Sequence, residues 1–143
     1  MTCTARERAY LRSMKEIRKI LCPTDFSACS KGALEDAVWL ARLTHAELSI
    51  LHVYQNPALM LPMGGYMGPM SDMLANLRTQ VSAELDALAE AYAKDSPNIG
   101  VLLVEGIPYR AILDRAADWS PDIIVMGTHG RTGVERALTG SVT

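Results

Sequence analysis

The sequence predicts an α/β fold: an open, mostly parallel, Rossmann-like sheet with helices on both faces. Three observations predict it. Apolar runs of strand length recur at residues 17–22, Glu47–Tyr54, Ile99–Glu105 and 123–126. A segment of helical periodicity separates each run from the next, and strands joined through helices must run parallel. The last run, Ile123-Ile124-Val125-Met126, ends in Gly127, with Gly130, Gly133 and Gly140 following. Glycines just past a buried strand let the backbone turn sharply and approach a ligand. Exposed N–H groups in such a turn, or at a helix start, form a cradle for phosphate.

The chain of 143 residues is long enough for one core and too short for two. Lys+Arg 14 against Asp+Glu 16 gives a net charge of −2, which offers no global attraction to nucleic acid or to an anionic membrane. No apolar run approaches the ~18 residues of a membrane span, and the first residues lack the apolar core of a secretory signal. Cys3, Cys22 and Cys29 form no C-x-x-C pair and read as thiols of a cytoplasmic protein, with a redox sensor as the alternative for Cys29 alone, in the first turn of a helix. The histidines, His45, His52 and His129, have no metal-ligand spacing.

Residues 1–16 are polar and of mixed charge, an extension with a short helix expected near residues 6–14. Residues 17–143 form a single domain. Its first strand, IRKILC, is expected to stop at Pro23, which cannot donate to a sheet ladder. Thr24-Asp25-Phe26-Ser27 is rich in capping residues, and Ala33, Leu34, Ala37, Val38, Leu40 and Ala41 follow at helical spacing. Asp25 or Ser27 would start that helix, and Asp25 is either a plain cap or a carboxylate at the carboxyl end of the first strand, facing the crevice where open α/β sheets bind ligands. Both roles can hold together.

In the second strand, Glu47–Tyr54, His52 reads as a partly buried ring with a satisfied partner rather than a catalyst. Residues 55–70 follow, with Met60, Met63, Met67, Met70 and Tyr66 among prolines and glycines. They read as a loop without a role, a lid, or a soft apolar docking surface. Residues 71–94 predict the strongest helix, capped by Ser71 or Asp72 and carrying Leu74, Leu77, Val81, Leu85, Leu88 and Tyr92 along one stripe. Ser96-Pro97-Asn98 breaks it. After the third strand, Gly106 and Pro108 introduce a short helix over residues 109–119, and Ser120-Pro121 closes it before Asp122 begins the fourth strand. The topology brings Pro23-Thr24-Asp25 beside Gly127 and Gly130, where the winding reverses.

The glycine pattern is neither the P-loop nor the dinucleotide fingerprint, since no G-K-[ST] occurs and the pattern follows the fourth strand. It reads G-x2-G-x9-G-S, from Gly127 and Gly130 to Gly140-Ser141. With ILCPTDFSACS, LSILHV, EGIPYRAIL and PDIIVMGTHGRTGVERALTGSV, the chain resembles the universal stress proteins over nearly its whole length from Ile17. The resemblance implies strand order 3-2-1-4-5 and, from the glycine spacing, the ATP-binding branch. Carried over by position, it implies that Pro23, Thr24 and Asp25 lie by the adenosine and that Val53 packs on adenine. Met126 and Gly127 would lie under the ribose, and Gly130 with Gly140, Ser141 and Val142 would cradle the phosphates. Arg131 and Arg136 read either as added charge near those phosphates or as solvated loop residues.

The chain stops at Thr143, directly after the cradle, so the family's fifth strand is expected to be missing. That strand commonly makes the dimer contact, which bears on the homodimer the resemblance implies. The function expected is a cytoplasmic stress-response or signalling module that binds ATP, with or without Mg2+, and performs little or no catalysis. An interaction module that keeps the fold without nucleotide, and a slow ATPase, are the competing readings. No base and nucleophile pair stands out for the latter.

Overall fold

The computed structural model describes residues 16–55, 68–95 and 98–128. Four strands, β1 (Lys19–Thr24), β2 (Glu47–Tyr54), β3 (Ile99–Glu105) and β4 (Ile123–Ile124), form one sheet in the order β3-β2-β1-β4. Every neighbouring pair is parallel. The connections are the helices α1 (Ala28–Thr44), α2 (Gly68–Tyr92) and α3 (Pro108–Trp119).

Side chains alternate between two apolar clusters. Ile20 and Cys22 of β1 and Leu48 and Ile50 of β2 meet Leu34, Ala37, Val38 and Ala41 of α1 and Leu85 of α2. On the other face Leu21 and Leu51 meet Ile112 of α3, with Val53, Ala116, Trp119 and Met126 packed around them. Thus α1 and α2 cover one face and α3 the other. A right-handed crossover has this consequence: β1 to β2 to β3 winds one way, and the return past β1 to β4 puts its helix on the opposite face. The winding direction reverses between β1 and β4.

Pro23 does not end the first strand. It lies inside β1, in register with Leu51, and is buried. The sides of the strand explain why it is tolerated. Arg18 O accepts from Glu47 N of β2, whereas Lys19 O accepts from Asp122 N and Leu21 O from Val125 N, both on the β4 side. In a parallel ladder alternate residues address opposite neighbours, so Pro23 shares the side of Lys19 and Leu21. Its missing N–H therefore costs nothing on β2, and the β1–β4 ladder lapses just where it would be needed. That ladder pairs only Ile20 with Ile123 and Leu21 with Ile124.

Asp122 is not a strand residue: its Oδ2 accepts from Arg18 N at 2.9 Å and Lys19 N at 3.1 Å, clasping the start of β1. The long helix begins at Gly68, so Ser71 and Asp72 are interior residues and not caps. Pro108 opens α3 at its first turn, and Ser120 closes it in the left-handed conformation. The expectations for a helix near residues 6–14, the body of the methionine-rich stretch, and Ser96-Pro97 lie outside the described residues.

Cys22, fully buried on β1, has its thiol pKa pushed up from 9.0 to about 12 by that burial. Below about pH 9 the thiol is protonated in the folded and the unfolded chain alike. Between about pH 9 and 12 the unfolded chain releases a proton that the folded chain keeps, so stability falls as pH rises, by as much as about 1.4 kcal/mol per pH unit. Denaturant titrations at stepped pH should show this slope in the wild type and a shallower one in Cys22→Ala. Equal slopes would contradict the burial argument.

Candidate functional site at the carboxyl edge of the sheet

The chain leaves β1 through Thr24-Asp25-Phe26-Ser27, and short polar side chains shape this exit. Asp25 Oδ1 accepts from Ser27 N at 3.0 Å, a local turn typical of aspartate. Ser27 is the helix N-cap, accepting from Ser30 N at 3.2 Å through Oγ. Asp25 thus positions the cap without being the cap, and the plain-cap role falls to Ser27. Phe26 takes φ 60, a left-handed conformation uncommon outside glycine. Its amide donates to Thr24 Oγ1 at 3.2 Å. Thr24 is buried, with Oγ1 also 3.2 Å from Ser30 Oγ, which donates to Ser27 O at 3.0 Å.

The second strand contributes from both of its faces. Val53 packs onto the Leu21–Leu51–Ile112 cluster, as does Met126 from the segment after β4. Two apolar side chains thereby stand on the α3 side at the same edge of the sheet. On the opposite side His52, in register with Thr24, sends Nδ1 to within 2.7 Å of Thr24 O. A carbonyl only accepts, so Nδ1 carries the proton. The Phe26 ring lies against the imidazole, with centroids 4.5 Å apart and planes tilted by 38°. The satisfied partner expected of His52 is Thr24 O, and the residue is buried rather than partly buried.

Gly127 joins the two halves of the site. A Cβ there would stand 3.0 Å from the carbonyl carbon, the carbonyl oxygen and the Sγ of Cys29. The glycine is required by close packing: the segment leaving β4 presses on the first turn of α1. Consequently the backbone after β4, the N-terminus of a 17-residue helix and the Asp25 turn converge at the point where the winding reverses. Unpaired amides and the helix dipole make such a helix start favourable for negative charge.

Of the residues singled out from the sequence, Pro23, Thr24, Asp25, Val53, Met126 and Gly127 come to this edge. Gly130, Arg131, Gly140, Ser141 and Val142 lie outside the described residues. Ser30 and Phe26 were not singled out. The spacing of Ser27 and Ser30 at a helix start would have flagged the former, whereas nothing local announces the ring contact of the latter. Among the described residues, no group of three or more His, Cys, Asp or Glu side chains could hold a metal ion. Nor is any described helix long and apolar enough to cross a membrane.

Comparison with known proteins agrees with this architecture. Residues 16–143 match the model of the universal stress protein family. Universal stress protein MJ0577 of Methanocaldococcus jannaschii is 31% identical over 138 residues, covering 88% of this chain and 85% of the relative. Universal stress protein MJ0531 of the same organism is 33% identical over 126 residues, covering 87% of this chain and 72% of its own length. Among solved structures, universal stress protein UspA from Lactobacillus plantarum superposes with a TM-score of 0.75 at 25% identity, covering 90% of this chain and 88% of that one. A universal stress protein in complex with cAMP shares the fold, with a TM-score of 0.66 at 21% identity and coverage of 90% and 86%. The chain belongs to the universal stress protein family.

Proposed function

We propose that this chain binds an adenine nucleotide, ATP with or without Mg2+, at the carboxyl edge between β1 and β4, as a stress-response or signalling module with little or no catalysis. The observation that carries the reading is the convergence of the Asp25 turn, the Gly127 segment and the start of α1 where the winding reverses. Ligands of open α/β sheets occupy this position. The residues fit the group. The Asp25 carboxylate can accept from ribose hydroxyls while keeping its bond to Ser27 N. Val53 and Met126 supply an apolar wall for a purine. Pro23 and Thr24 line the exit of β1 beside Asp25, and Gly127 admits the backbone close to the sugar. The family resemblance assigns Gly130, Gly140, Ser141 and Val142 to the phosphates, and Arg131 would add charge beside them. The cAMP complex of a protein with this fold supports an adenine nucleotide as a ligand the architecture accepts.

Calorimetric titration with ATP and Mg2+ tests the reading, with Asp25→Asn as the comparison. Asparagine keeps an oxygen for Ser27 N but removes the charge. Losing charged hydrogen bonds of about 1.5–3 kcal/mol should weaken ATP by roughly tenfold to a hundredfold while the fold persists. A wild type that binds no ATP, or an Asp25→Asn variant that binds equally well, would overturn it.

A further inference from the structure

We propose that His52 is the positioning residue of this site: it grips the residues on both sides of Asp25 and so sets where that carboxylate stands. The inference rests on the nucleotide reading above. His52 is only 9% exposed, and its two contacts fall on Thr24 and Phe26, the immediate neighbours of Asp25. The peptide group before Asp25 is held through Thr24 O, which accepts from His52 Nδ1 at 2.7 Å. The peptide group after it is held through Phe26 N, which donates to Thr24 Oγ1 at 3.2 Å. With both flanking peptide planes fixed, the backbone dihedrals of Asp25 have little freedom.

The left-handed turn at Phe26 adds a second reason. A bulky residue holds φ 60 only when its surroundings over-determine it. The ring contact with His52, at 4.5 Å between centroids, is one of those determinants. Without it the turn would relax toward commoner backbone angles, and the carboxylate would swing with it. His52 transfers no proton in this role. It acts through Asp25, and its effect should therefore appear in recognition of the ribose and not of the base.

The test compares ATP with 2′,3′-dideoxy-ATP, which lacks the hydroxyls that Asp25 would bind. Wild type should prefer ATP by about tenfold. His52→Phe keeps a ring but loses the donor, and should abolish most of that preference while affinity for the dideoxy analogue changes by less than about twofold. His52→Asn offers an amide N–H near the position of Nδ1 and should restore part of the preference. In an Asp25→Asn background, His52→Phe should have no further effect on ATP. A general structural role would instead lower affinity for both nucleotides alike, and that result would overturn the proposal, as would an unchanged preference. If His52→Phe does not fold, His52→Leu carries the same test, since it too removes the donor to Thr24 O and the ring contact with Phe26. A His52→Leu variant that folds and keeps the full preference would overturn the proposal. A wild type that binds ATP without preferring it overturns the role of Asp25 and hence of His52. A wild type that binds neither overturns the nucleotide reading itself.

Discussion

Leu85→Ala is expected to lower the stability of the folded chain by about 2–5 kcal/mol, the largest effect of any single truncation among the described side chains of α2. Leu85 is the one fully buried side chain among the described residues of this 25-residue helix. Leu88, Ala89 and Tyr92 are only partly buried against the same cluster. Removing the Leu85 side chain leaves a cavity between α2 and the sheet, walled by rigid strand residues such as Ile50 that cannot collapse into it. Met73, on the same helix, is 68% exposed, and its truncation should fall within about 0.5 kcal/mol of wild type. Denaturant titrations of the two variants check the contrast. A Leu85→Ala loss below about 1 kcal/mol would mean that α2 is not docked as described.

Gly127→Val should cost about 1–3 kcal/mol through overpacking and should also weaken nucleotide binding. The conflict is one of space, since Gly127 is not among the glycines of positive φ. Two of the three atoms a Cβ would meet at 3.0 Å belong to the Cys29 backbone, in the first turn of α1. They cannot move unless the helix start moves. Trimming the third with Cys29→Ala should therefore fail to rescue Gly127→Val. If it does rescue, the thiol and not the helix backbone sets the limit. Because the proposed site lies between these two segments, the stability loss and the affinity loss should appear together.

The fold was legible wherever a run of apolar residues stood between clear breakers. Glu47–Tyr54 and Ile99–Glu105 have the bounds expected from their sequences. The strand order expected from the resemblance is the one observed over the four strands. Among the boundaries that differ, two show the physical reason plainly. The rule that proline stops a strand concerns its missing N–H, and only the tertiary partner tells which side of β1 that gap faces. At α2, Ser71 and Asp72 have the chemistry of caps, but the helix is already under way from Gly68.

The site was legible as residue types and not as contacts. Asp25 and Gly127 could be marked from their strand ends, and Val53 and Met126 from the family resemblance. The bond from His52 to Thr24, 28 positions apart in the chain, has no local signature. The same holds for Gly127: its glycine reads as a turn residue until α1 is packed beside it. A ring in a left-handed turn at Phe26 is likewise a property of the assembled edge.

The most direct test of the central claim is to follow backbone amide resonances of the chain as ATP and Mg2+ are added. The account predicts that the largest shifts fall on Thr24 to Ser27, Val53, and Met126 to Thr128, at the carboxyl edge. The opposite edge should stay unmoved, including Arg18 and Lys19, whose amides are bound by Asp122. Shifts centred on that opposite edge, or on the exposed outer face of α1 around Trp39 and Leu43, would contradict a nucleotide site at the β1–β4 reversal.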